Sequence, residues 1–171
     1  GVCALYANTT GCNNIAVGMY ALQNNTTASH NVGIGVHAGM KTTTGGHNTS
    51  SGYMAGCSNS TGDWSTATGA MSLRFSTTGK CNTAYGGYSL HKNTTGVCNV
   101  AVGYQTLWSN TTQHGNVAVG TKALYSNTTG SENTASGTYS LNSNTTGSSN
   151  TSMGRNSLGN NTTGCCNAAG G

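Results

Sequence analysis

The chain has 171 residues, an ordinary length for one domain, yet only 5% are charged, 34% are apolar, 27 are glycine and none is proline. A layered globular domain carries about a quarter charged and nearly half apolar residues, so a conventional core is excluded. The net charge of +4 comes from Lys41, Arg74, Lys80, Lys92, Lys122 and Arg155. These fall at different repeat positions, which predicts no basic stripe and no nucleic-acid partner. No apolar run reaches the length of a membrane span, so no membrane insertion is expected. Neither an initiator methionine nor a secretory leader opens the sequence, as in a processed chain or a window of a longer one.

Taken in order, the chain repeats one unit. Units of 17 residues begin at Cys12, Ser29, Gly46, Asp63, Lys80, Val97, His114, Ser131, Ser148 and Cys165, without insertion or deletion. Within a unit, the segment Asn116 to Val119 reads as a short strand closed by Gly120. A second strand is expected around Ala123 and Leu124, and the Asn-Thr-Thr-Gly stretch forms a corner or a third short edge. Seventeen residues are too few for a helix pair or a propeller blade but suit one coil of a β-solenoid. Left-handed hexapeptide helices need three six-residue faces, a period of about 18, and fit poorly. The expected fold is therefore all-β, one β-solenoid domain over 1–171 of ten coils about 4.8 Å apart, roughly 48 Å long.

The invariant positions carry the physical detail. Position seven is Gly in all eleven occurrences, which predicts a turn with positive φ. Position sixteen is Thr in all ten. Position three holds Asn14, Asn31, Asn48, Asn82, Asn99, Asn116, Asn133 and Asn150, broken by Ser65, and predicts an inward amide ladder. Position eleven holds Leu22, Leu73, Leu90, Leu107, Leu124, Leu141 and Leu158, broken by Gly39 and Gly56, and should fill a thin interior beside small residues at positions five and ten. Positions one, two, eight, nine, twelve and thirteen vary and should face outward. Positions four and six are aliphatic in some coils; facing outward, they would form two sticky bands suited to a partner chain.

Units such as NVAVGTKALYSNTTG resemble the repeat arrays of phage tail-fibre-like and bacterial surface-fibre proteins, and the N-x-A-x-G half is similar to the heads of trimeric autotransporter adhesins. The resemblance implies a shaft or head, a place outside the cell or on a virion fibre, lateral or trimeric contacts, and surface glycans as partners.

Chemistry is sparse. The two acids, Asp63 and Glu132, lie about four coils apart, roughly 19 Å, too far for a glycosidase pair. No catalytic residue, metal site or cofactor is expected. His30 and His47 share position two on adjacent coils, but a pair without a third ligand is a weak metal site. Cys81 and Cys98 also share position two, within disulfide range at coil spacing. The sequence starts and ends at position seven, with Gly1 and Gly171, and shows no terminal caps. This phase match predicts end-to-end homopolymers, with Cys12 joined to Cys165 or Cys166 of the next copy.

Asn8, Asn25, Asn59, Asn93, Asn110, Asn127, Asn144 and Asn161 at position fourteen begin N-x-[ST] acceptors, and Asn24, Asn48, Asn150 and Asn160 add further matches. The alternative is a turn in which Asn and Thr cap the backbone, with sugars instead on the Thr rows. Outward Thr pairs would mark an ice-binding face, but Thr66 and Thr68 give the only such pair at positions four and six. Tyrosines at positions six, eight, nine and twelve form no single column, which favours a scaffold over a carbohydrate-binding adhesin. The expectation is a non-enzymatic extracellular fibre-forming rod, with a receptor- or glycan-binding adhesin or tail-fibre segment next, and an ice-binding solenoid third.

Overall fold

The computed structural model describes every residue from Gly1 to Gly171. The chain winds into a β-solenoid of about nine turns and contains no helix. Its strands are β1 (Ile15–Val17), β2 (Val32–Ile34), β3 (Thr49–Ser51), β4 (Thr66–Thr68) and β5 (Thr83–Tyr85). They continue as β6 (Val100–Val102), β7 (Val117–Val119), β8 (Thr134–Ser136), β9 (Thr151–Met153) and β10 (Ala168–Gly170). All ten form one parallel sheet in chain order. The register never slips: Ile15 pairs with Val32, and Thr151 with Ala168, each 17 residues on.

Each strand covers positions four to six, where Val, Ile and Thr favour extended backbone. Period-two alternation turns position five inward, and Ala84, Ala101 and Ala118 are fully buried there. Positions four and six face solvent, so Ile15, Val17, Ile34, Val117 and Val119 are exposed aliphatics on the sheet face. The strand ends at Gly seven because no other residue fits. Gly120 has φ +126, and a Cβ there would sit 2.7 Å from the carbonyl oxygen of Gly137 on the next coil.

The second strand expected around Ala123 and Leu124 does not form. Lys122 and Leu124 take left-handed backbone at φ 56 and φ 50, which turns the chain instead of extending it. Position two does the same, as at His47 (φ 59) and Cys81 (φ 57). A bulky L-residue in this region costs about 1–2 kcal/mol. The offset is coil-to-coil hydrogen bonding by these same left-handed residues. Lys122 N–H donates back to Tyr104 O at 3.0 Å, and Leu124 N–H donates forward to Ser140 O at 3.0 Å. Of 114 backbone bonds only 18 lie within the strands, so most of the circumference is held outside the sheet.

The interior has an apolar and an amide half. Leu73, Leu90, Leu107, Leu124 and Leu141 form one contiguous cluster with the alanines, and Leu158 packs at its edge. Leu22 is buried but lies outside that cluster. Beside it run two columns of asparagine. At position three, Asn133 donates its backbone N–H to Asn116 Oδ1 (3.0 Å) and its Nδ2 to Gly147 O (2.9 Å). At position fourteen, Asn144 Nδ2 donates to Asn127 Oδ1 (3.0 Å) and to the same Gly147 O (2.9 Å). The position-seventeen carbonyls of Ala28, Gly62, Gly96, Gln113, Gly130, Gly147 and Gly164 are thus each clamped by two amides, which satisfies buried polar groups that would otherwise cost about 1–3 kcal/mol apiece.

Candidate functional site

The position-fourteen column corrects the acceptor assignment. Asn25, Asn59, Asn93, Asn110, Asn127 and Asn144 are buried, and their amide nitrogens are engaged inside the coil. A glycan on Nδ2 would have to occupy the solenoid interior, so these six sequons are structural. Asn8 is exposed and Asn161 partly so, but both Nδ2 atoms still donate to the carbonyl of their own turn, Gly11 O and Gly164 O at 3.0 Å. Asn48 and Asn150 are likewise buried in the position-three ladder.

The Thr-Thr pair that follows divides in two. At position fifteen the hydroxyl donates to the carbonyl of the same position one coil on, except at Thr111 and Thr162: Thr26 does so to Thr43 O (3.1 Å) and Thr94 to Thr111 O (3.2 Å). At position sixteen every Thr from Thr10 to Thr163 is exposed. None of these hydroxyls bonds elsewhere in the chain, except that Thr112 Oγ1 receives its neighbour Gln113 Nε2 at 3.2 Å.

Positions nine, twelve and thirteen share one edge, and this too differs from the expectation of scattered aromatics and cations. His91, Trp108 and Tyr125 stack on successive coils with ring centroids 6.1 and 5.3 Å apart and nearly parallel planes. Tyr88 packs on His91 at 5.3 Å, and Phe75 meets it edge-on at 5.1 Å. Lys92 Nζ sits 3.9 Å above Trp108, Lys122 Nζ lies between Tyr125 and Tyr139, and the Arg74 guanidinium covers Phe75 at 4.9 Å. Lys41, Phe75 and Lys92 then line a shallow groove with the position-fifteen residues Thr77, Thr94 and Thr111. Burial holds His91 below the usual histidine range, against its contact with Met71 O, and the positive neighbours Arg74 and Lys92 add to the effect. Four of the six cations therefore gather here. Lys80 is elsewhere, 2.9 Å from Asp63. Desolvation alone would raise the Asp63 carboxyl, but bonds from Lys80 and the Gly46 N–H outweigh it and hold it below its ordinary value.

A second aromatic column occupies position two. His30 and His47 stack at 4.7 Å, and His47 on Trp64 at 4.0 Å, with Asn13 Nδ2 3.2 Å from His30 Nε2. The two imidazoles thus lie face to face in a π-stack rather than converging on a common point. No group of three or more His, Cys, Asp or Glu comes close enough to hold a metal ion.

All seven cysteines are free thiols. Cys81 and Cys98 are exposed on adjacent coils without a bridge, Cys12 and Cys165 stand nine coils apart in one chain, and Cys166 is exposed beside Cys165. Burial raises the Cys57 thiol, with Lys41 and Arg74 opposing.

These features define a β-solenoid whose interior is built from amides, leucines and alanines, and whose exposed surface differs sharply from edge to edge. No family model, curated protein or solved structure compared with the chain matches it.

Proposed function

We propose that the chain is a structural rod, a shaft segment of an extracellular fibre. The observation that carries this reading is the coil-to-coil bonding around the whole circumference: of the 96 backbone bonds outside the strands, all but the three-residue turn bonds such as Ala123 N–H to Gly120 O join neighbouring coils. From Lys80 to Gly164 such an interior repeats from coil to coil. A further coil, of the same chain or of a copy stacked end to end, extends the same Leu and Asn columns without any new kind of contact. The aliphatic bands at Ile15, Val17, Val117 and Val119 supply lateral contacts between rods. The resemblance of the repeat to phage and bacterial surface-fibre arrays supports a place outside the cell. Cryo-electron microscopy of the purified protein tests this. Filaments of uniform width with an axial step of about 4.8 Å are expected. Discrete particles at every concentration would contradict it.

A second reading is favoured by the edge bearing Lys41, Arg74, Lys92 and Lys122: an adhesin that holds an acidic polysaccharide. The faces of Trp108 and Tyr125 are turned onto each other and onto Lys92, which leaves cations and hydroxyls, not free ring faces, for a ligand. That suits carboxylate-rich sugars better than nucleobases, which need open stacking faces. Retention on immobilised alginate that is lost in Lys41→Ala/Lys92→Ala supports this reading, and equal retention of the variant removes it.

A further inference from the structure

We infer that the position-sixteen threonines are an O-glycosylation row, the hydroxyls serving as acceptors for single neutral sugars. Two independent observations carry this. The first is that position sixteen is strictly Thr and yet, while its backbone N–H bonds the next coil, as at Thr95, its hydroxyl is idle in the fold. Every other invariant or near-invariant position has a role inside the coil: Gly seven in the turn, Asn three and Asn fourteen in the ladders, Leu eleven in the core. Exposed positions without such a role vary freely, as position two does in running from His30 through Trp64 and Cys81 to Glu132. Position sixteen is exposed in all ten occurrences, and its hydroxyl makes no bond that Val at the same place would forfeit, apart from the local Gln113 contact at Thr112. The fold does not require the hydroxyl, so its retention points to something outside the folded chain.

The second observation is the bareness of the surface. Soluble surfaces carry about 25–35% charged residues; this chain has 5% and also exposes Ile15, Val17, Tyr85, Met153 and Trp64. A hydrophilic coat attached to the rod supplies the missing hydration. Phosphate would not serve. Ten groups of about −1.5 to −2 each, about 4.8 Å apart along the axis, would repel one another with only six cations present. Neutral sugars carry no such penalty, and occupancy of alternate coils leaves about 9.6 Å between them.

The chemistry is ordinary glycosyl transfer from a nucleotide-activated monosaccharide on a separate transferase. Threonine Oγ1 attacks the anomeric carbon, and its proton passes to a base on the transferase. The anomeric carbon–phosphate oxygen bond breaks, and the nucleoside diphosphate leaves with the electron pair. Position-fifteen hydroxyls such as those of Thr26 and Thr94 are poorer acceptors because they already donate to a carbonyl one coil on.

The test is site-resolved mass spectrometry of the native protein, and it does not depend on fibre assembly. The peptide over 93–122, released by cleavage after Lys92 and Lys122, contains both kinds of threonine and two sequons. Sugar on Thr95 and Thr112, and none on Thr94, Asn93 or Asn110, is the expected result. An unmodified peptide, or sugar confined to the other residues, overturns the inference. As a control, Thr95→Val in protein made without glycosyltransferases should leave the melting midpoint unchanged. A marked fall in that midpoint would also overturn it, because folding would then explain the invariance.

Discussion

The coils from Lys80 to Gly164 and those from Ser29 to Gly79 share one period and one sheet, but they fill their interiors differently. In the first region Leu90, Leu107, Leu124 and Leu141 follow one another without a gap, and both asparagine columns are continuous. In the second, Gly39 and Gly56 replace Leu, Ser65 replaces Asn at position three, and Thr42 and Ser76 replace Asn at position fourteen. Each fault has a local consequence. Leu22 leans over Gly33 and Gly39, where added Cβ atoms would lie 2.8 and 2.7 Å from it, and it is thereby cut off from the main core. Ser50 occupies the space beside Gly56, with its hydroxyl 2.5 Å from where a Cβ would stand. A void of about 10 Å³ remains between Asn48, Asn59, Ser65, Leu73 and Ser76, about the room one water needs. Asn25 Oδ1 is left as the one buried side-chain polar atom without a partner, because Thr42 cannot supply the amide that an Asn would. The comparison separates the period, which survives these faults, from the filling and pairing of the interior, which do not.

The comparison breaks most severely at the leucine column. Leu124→Asp should abolish folding of the regular coils, since it buries an unpaired charge at a cost of several kcal/mol. The milder Leu124→Ala should cost about 2–5 kcal/mol in denaturant titration. Asn116→Ala comes next, at about 3 kcal/mol. It removes the acceptor of the Asn133 N–H and one of the two donors to Gly130 O. The same titration checks it, and a loss below about 0.5 kcal/mol would mean the ladder is decorative.

The irregular region offers a change in the opposite direction. Thr42→Asn should give Asn25 Oδ1 its missing donor and raise stability by about 1 kcal/mol. A drop would show that the neighbourhood of Gly39 has repacked around threonine.

The smallest effect is pH-dependent. The fold keeps His91 neutral more strongly than the unfolded chain does, so below about pH 6.5 unfolded chains bind more protons. The contribution is fully present above that pH and is lost as pH falls through the lowered folded value. Melting midpoints across this range should fall less in His91→Gln than in the parent protein.

Much of this was legible in the repeat itself. Glycine at every position seven demanded a special turn, and near-invariant Asn and Leu beside freely varying neighbours marked positions the interior constrains. Other features were hidden for physical reasons. Tyr20, Lys122 and Leu124 have side chains that disfavour left-handed backbone, and only the hydrogen bonds of neighbouring coils override that preference. The Asn-Thr-Thr-Gly corner looked like a capped turn or a glycan acceptor, because both use the residues that a second buried amide ladder uses. The edge joining Lys122, Tyr125 and Lys92 could not be seen from repeat positions, because a backbone that folds back at positions nine and eleven brings nine, twelve and thirteen together.

The central claim is that the rod is held by its whole circumference and by its internal columns, rather than by its three-residue strands. Hydrogen exchange resolved along the chain tests it most directly. The account predicts that amides outside the strands, such as those of Lys122, Leu124 and Thr128, are as protected as those of β7, and that protection dips between Gly39 and Ser76. Protection confined to the strand residues, or uniform from Ser29 to Gly164, would contradict it.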